Sequence, residues 1–169
     1  MAASTINESL VSQFNASLIT LENCIDSCPP EEWNQSHGDY PFSQVVFHTL
    51  FYCDFYLSKN EEIFKTQEFH RNHKDTFADY EELEYRLPVR LYDKAFIKEY
   101  LEYCKEKIKV EVKNFRIEDL LNVREESIRK MSKLELYIYV IRHIQHHAAQ
   151  LGLRIQFVIK KEMKWVSRG

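Results

Sequence analysis

Apolar residues recur every three or four positions through four long stretches of this chain, and its prolines lie between those stretches or at the start of one. That recurrence has the 3.6-residue period of an α-helix rather than the two-residue alternation of a half-buried strand. With 3 Gly and 4 Pro in 169 residues, the chain is short of the turn residues that a β-sandwich or barrel needs. It also lacks a glycine-rich loop of the kind that cradles phosphate.

The first stretch is expected over 5–27. Thr5 and Glu8 have capping-box spacing, and Ile6, Leu10, Phe14, Leu18, Leu21 and Ile25 form one apolar stripe before Pro29 and Pro30 end it. A linker with one short turn near Trp33 follows. The second stretch opens at Pro41 and is expected to reach about Phe64, with Phe42, Val45, Val46, Thr49, Cys53 and Tyr56 as its stripe and His48 beside it. A long charged and aromatic linker covers 65–92, with a short helix expected around Asp79 to Glu84. A connection of that length crosses a bundle rather than closing a hairpin. The third stretch starts after Asp93 as N-cap and runs to about Phe115, its stripe being Ile97, Leu101, Cys104, Ile108, Val112 and Phe115.

The fourth stretch begins at Ser132, with Glu135 completing a capping box, and reaches about Phe157. It is apolar around most of its circumference. Such a helix is buried on several sides, either at the centre of a bundle or against a second copy of the chain, so a homodimer is expected. Together the four stretches predict an all-α fold, a four-helix bundle with a long crossover between helices 2 and 3, built as one domain over 1–169.

Charge and hydropathy narrow the partners. A formal net charge of −3 creates no basic field for nucleic acid, and no nucleic-acid partner is expected. Lys160, Lys161, Lys164 and Arg168 read as a solvated helix end. No apolar run is long enough to cross a membrane. Met1 to Glu8 lacks the basic and apolar regions of a signal peptide, so a cytoplasmic location is expected. There Cys24, Cys28, Cys53 and Cys104 are expected as buried thiols rather than disulfides.

The histidines carry the chemistry. Of 7, His143 and His147 are spaced i, i+4 on the fourth helix and share one face, as ligands of helical zinc sites do. His146 is turned about 60° from His143 and about 100° from His147. His48 is the best third ligand, because an unpartnered ring beside an apolar stripe would be costly. His37, His70 and His73 lie in linkers, the last two expected in solvent. The same spacing also suits surface or hydrogen-bonded core histidines, and spacing alone does not separate the two. A di-iron carboxylate site needs Glu-x-x-His pairs that the chain lacks, and His-Glu-x-x-His is absent. Cys24 and Cys28 share a face but sit among apolar residues, as a packed pair.

Two segments carry a family resemblance. His143-Ile-Gln-His-His147-Ala-Ala-Gln150-Leu151 resembles the C-terminal motif of the DinB/YfiT-like superfamily, and Pro41-Phe-Ser-Gln-Val-Val-Phe-His48 resembles the segment that carries that family's first histidine. The resemblance implies a DinB-like bundle with up-down-down-up topology. It also implies a divalent ion, nickel or zinc, held by His48, His143 and His147. Many members have Arg-Gly after the last histidine, where this chain has Ala148-Ala149; that removes a positive charge near the site and leaves the ligands intact. Family activities include transfer of low-molecular-weight thiols to electrophiles and metal-dependent hydrolysis.

Three neutral imidazoles leave an ion its full charge, which acidifies a bound water or thiol. Gln150 shares a face with His143 and Arg154 with His147, so either is a candidate to orient a ligand or hold an anionic substrate. Asp54, the acid nearest His48, is turned away from it. No general base is therefore committed, which favours thiol transfer to a small-molecule substrate over hydrolysis. The alternative is a non-catalytic, metal-stabilised dimeric bundle or a small-ligand-binding protein.

Overall fold

The protein is seen in a computed structural model, which describes residues 2–37, 40–78, 89–113, 117–122 and 131–169. Among these the elements are all helices: α1 (Ala2–Ser27), α2 (Phe42–Leu57), α3 (Glu61–Thr66), α4 (Glu68–Asn72), α5 (Lys94–Lys113), α6 (Ile117–Leu120) and α7 (Lys133–Ile159).

Local chemistry accounts for most of the boundaries. Ser132 Oγ accepts from Glu135 N–H at 3.2 Å, as its spacing predicts, and Asp93 Oδ1 accepts from Ala95 N–H at 2.7 Å. Thr5 does not begin α1. The helix already runs at Ala2, and the Thr5 carbonyl accepts from Ser9 Oγ at 2.7 Å within it. α2 stops at Leu57, short of Phe64. Ser58 turns into extended backbone with its hydroxyl on the Asp54 carbonyl at 3.0 Å, and Asn60 then caps α3 by accepting from Ile63 N–H at 2.8 Å. Ser and Asn compete for backbone groups in this way and interrupt a helix that apolar periodicity alone would continue. α4 lies in a stretch expected to be irregular, while the helix expected around Asp79 to Glu84 falls outside the described residues.

α1 packs on α5 and α7, and α2 packs on the same two. The contacts follow a regular order. On α1 and α7, Phe14 meets Tyr137 at 5.8 Å between ring centroids, and Cys24 Sγ lies 3.4 Å from the Ala148 carbonyl oxygen. On α1 and α5, Glu22 pairs with Lys105 at 2.9 Å and Asp26 with Lys98 at 2.6 Å. On α2 and α7, Tyr56 meets Tyr139, Tyr52 meets His143 and His48 meets His147. The expected stripes point inward: Phe14, Leu18, Leu21, Ile25, Val46, Cys53, Ile97, Cys104, Ile108 and Val112 are fully buried. All four cysteines are buried and unbridged. None of the described helices is long and apolar enough to cross a membrane.

The chain ends differently from the expected solvated helix terminus. Lys160 takes a left-handed conformation, φ 55°, which stops α7. Residues 160–169 then run back along α1, where Gly169 N–H donates to the Ser12 carbonyl at 3.2 Å and Gln13 Nε2 to the Ser167 carbonyl at 3.2 Å. Lys160, Lys161, Lys164 and Arg168 are exposed on this tail.

One polar network lies inside. Asp54 on α2 is fully buried and accepts from Tyr100 Oη at 2.9 Å, Gln67 Nε2 at 2.7 Å and His70 Nε2 at 3.0 Å. Its other carboxylate oxygen takes the Lys107 ammonium of α5, which also donates to Ser58 Oγ at 2.6 Å and Gln67 Oε1 at 3.0 Å. His70 is 2 % exposed and stacks on Phe77 at 3.7 Å, which corrects the expectation that it sits in solvent. His73 is half-buried and pairs with the exposed Glu99 at 3.1 Å. The reason is topological: α4 and the turn after it fold over the α2–α5 seam and cover the buried carboxylate. Burial alone would raise the Asp54 pKa, but the His70 hydrogen bond and the Lys107 charge more than offset it and hold it below 3.8. For His70, burial outweighs the attraction of Asp54 and lowers its pKa below 6.5.

Two predictions follow from this network. Lys107→Met leaves Asp54 as an uncompensated buried charge and should cost about 3 kcal/mol in chemical denaturation. Lys107→Met combined with Asp54→Asn should recover most of that loss. Both folded-state pKa values are depressed, so both groups stabilise fully above their ordinary values and lose that contribution as pH falls. Unfolding free energy should therefore decline as pH drops below the ordinary histidine value of 6.5 and again below the carboxylate value of 3.8. His70→Gln should remove the first decline, measured as the difference from wild type across a urea-denaturation pH series.

Candidate metal centre

Three imidazoles converge between α2 and α7. The i, i+4 step on α7 aims His143 and His147 at the same side, and α2 crosses there with His48. Ring centroids are 4.6 Å apart for His143 and His147, 5.3 Å for His48 and His143, and 4.9 Å for His48 and His147. One nitrogen from each ring lies within 4.8 Å of the other two, and all three residues are half-buried. The Nε2 atoms of His48 and His143 are 3.4 Å apart. Tetrahedral zinc with Zn–N bonds of about 2.05 Å sets its nitrogens about 3.3 Å apart. The all-imidazole donor set, with one pair at that spacing, fits a borderline transition-metal ion. No carboxylate or thiol joins the three among the described residues.

Gln150 is close by, on a different ring from the one its spacing suggests. Its Oε1 accepts from His147 Nδ1–H at 2.9 Å rather than reaching His143. That bond sets the proton on Nδ1 and turns the Nε2 lone pair toward the cluster, the usual arrangement of a metal-binding histidine. Arg154 lies further along. Its guanidinium donates to the Gln35 carbonyl at 3.0 Å and the Tyr40 carbonyl at 3.1 Å, holding the loop before α2. His146 is exposed and edge-on to His147 at 5.0 Å, outside the cluster. His37 pairs with Glu32 at 2.6 Å.

Aromatic rings wall the cluster. Tyr52, one turn after His48, lies 4.8 Å from it and 5.8 Å from His143, and Tyr139, one turn before His143, is nearly parallel to that ring at 6.5 Å. The i±4 spacing from each histidine was the signal for both tyrosines. Asp54 serves the buried network on another side of α2, as its six-residue offset from His48 requires at 3.6 residues per turn. Three of the protein's thiols are poor nucleophiles: burial pushes Cys24 up to about 12 and Cys28 to about 11, and holds Cys104 well above 9.0.

No curated protein and no solved structure matches the chain. Residues 13–151 match the DinB superfamily, a span that includes His48, His143, His147 and Gln150. The match covers most of the chain, and the three-histidine convergence occurs where the two motif segments meet, so this protein belongs to the DinB superfamily.

Proposed function

We propose that the chain is one DinB-like four-helix-bundle domain that binds a divalent ion, nickel or zinc, through His48, His143 and His147. We further propose that it uses the ion to transfer a low-molecular-weight thiol to a small electrophile. The observation that carries the metal site is the 3.4 Å approach of two Nε2 atoms from separate helices with a third imidazole nitrogen within 4.8 Å. An up-down-down-up course fits the order of contacts: numbering rises together on α1 and α7 and on α2 and α5, and runs opposed on α1 and α5 and on α2 and α7.

An ion held by His48, His143 and His147 would keep its full charge and would acidify a thiol or a water beside it. The chain's own residues do the rest. Gln150 fixes the His147 tautomer, Tyr52 and Tyr139 shield the rings, and among the described residues no carboxylate joins the cluster to serve as general base. Hydrolysis needs such a base more than thiolate transfer does, and this favours transfer. Beyond Ala149, the last turns of α7 expose Leu153 (54 %) and Phe157 (67 %). That surface supports a homodimer, and with it the second reading, a metal-stabilised dimeric bundle or ligand-binding protein without catalysis. A cytoplasmic location goes with a small-thiol co-substrate.

The purified chain should carry about one equivalent of zinc or nickel by elemental analysis, and His48→Ala or His143→Ala less than a tenth of that. Chelation should lower the wild-type unfolding temperature by roughly 5–10 °C and leave the variants unmoved. The loaded protein should accelerate conjugation of a cellular thiol to a chlorinated nitroarene, with initial rates followed by absorbance. Equal rates for loaded wild type and His143→Ala would refute transfer and leave the non-catalytic reading.

A further inference from the structure

A cavity of about 550 Å³ opens beside the histidine cluster on α7, lined by Tyr139, Arg142, His143, Gln145, His146 and Ala149. His143 belongs both to the lining and to the cluster. The lining has a marked charge asymmetry. Arg142 is permanently cationic, and none of the described lining residues is a carboxylate. On a helix, a side chain finds its partners at i±3 and i±4; for Arg142 these are Ile138, Tyr139, Gln145 and His146, none of them acidic. Arg142 pairs with no acid among the described residues. The other arginine of α7, Arg154, is already engaged with two carbonyls.

We propose that this cavity is the substrate pocket of the metal centre and selects small aromatic carboxylates, with Arg142 gripping the carboxylate. The aromatic body lies along Tyr139 and Ala149, the apolar part of the lining, and the reactive end faces His143. A planar guanidinium offers two parallel N–H donors that match a carboxylate bidentately. A neutral analogue forgoes those bonds, and a cationic one is repelled. The volume admits a single-ring molecule with room to spare, within the range of small-ligand sites. Arg142 is thus a specificity residue, separate from the three histidines.

This proposal rests on the metal-centre reading, and the test separates the two. Benzoate, benzyl alcohol and benzylamine are titrated calorimetrically into the full chain with and without zinc, as wild type, Arg142→Met and Arg142→Lys, with metal content measured in parallel. Benzoate should bind wild type most tightly. Arg142→Met should weaken it by about tenfold or more while zinc stays at the wild-type level, and Arg142→Lys should recover part of the loss. Benzoate affinity unchanged in Arg142→Met, or no preference for benzoate over benzyl alcohol, overturns the proposal with the metal centre intact. Benzoate binding that needs zinc but not Arg142 also overturns it, because the carboxylate is then on the ion. Absence of zinc from wild type overturns the metal centre instead, and the zinc-free titrations still decide whether Arg142 selects the anion.

Discussion

The contact between α2 and α7 is the constraint on which the site depends. Three residues on α2, one turn apart, meet three on α7, also one turn apart: His48 with His147, Tyr52 with His143, and Tyr56 with Tyr139. Both helices repeat every 3.6 residues, so a register that seats one pair seats all three. A shift of one turn would set His48 against His143 or past His147 and separate the nitrogens by a helical pitch, about 5.4 Å. The convergence of the three imidazoles is therefore a property of the helix–helix register more than of any loop.

Register needs an anchor, and α2 has one on another side. Asp54 binds Lys107 and Tyr100 of α5, with Gln67 and His70 closing over it. An ion pair of this kind adds little net stability over a well-packed apolar core, since desolvation offsets the attraction. It does penalise any rotation or slip of α2 that would leave the carboxylate alone in the core. α2 is held by a polar lock toward α5 while it presents His48 toward α7. The ends of the site are fixed in the same spirit: Gln150 orients His147, and Arg154 ties down the loop that leads into α2.

Much of this was legible in the residues. The four apolar stripes, the Ser132 cap and the turn at Pro29 and Pro30 follow from local rules, and the histidine pair on α7 follows from i, i+4 spacing. Other features were not. The stop at Ser58 depends on a hydroxyl turning back to its own helix and on Asn60 starting the next, a competition that periodicity does not register. His70 looked solvated because the residues around it are polar and charged. It is buried because the segment folds across Asp54, a partner sixteen positions away. The clue was Asp54 itself, a charge in the middle of an apolar helix, which must find a cation or a donor if it is buried.

What the sequence by itself determined is the helical class, the four long helices and the side of α7 that carries His143 and His147, because backbone geometry alone places residues i and i+4 together. Only the tertiary structure decided that His48 completes the cluster, that Gln150 serves His147 and not His143, that Arg154 holds a loop, and that Arg142 borders a cavity. Those four depend on which helices cross and in what register. That is settled by burial summed over the whole core and by the pairing of buried charge, neither of which resides in any one stretch of chain.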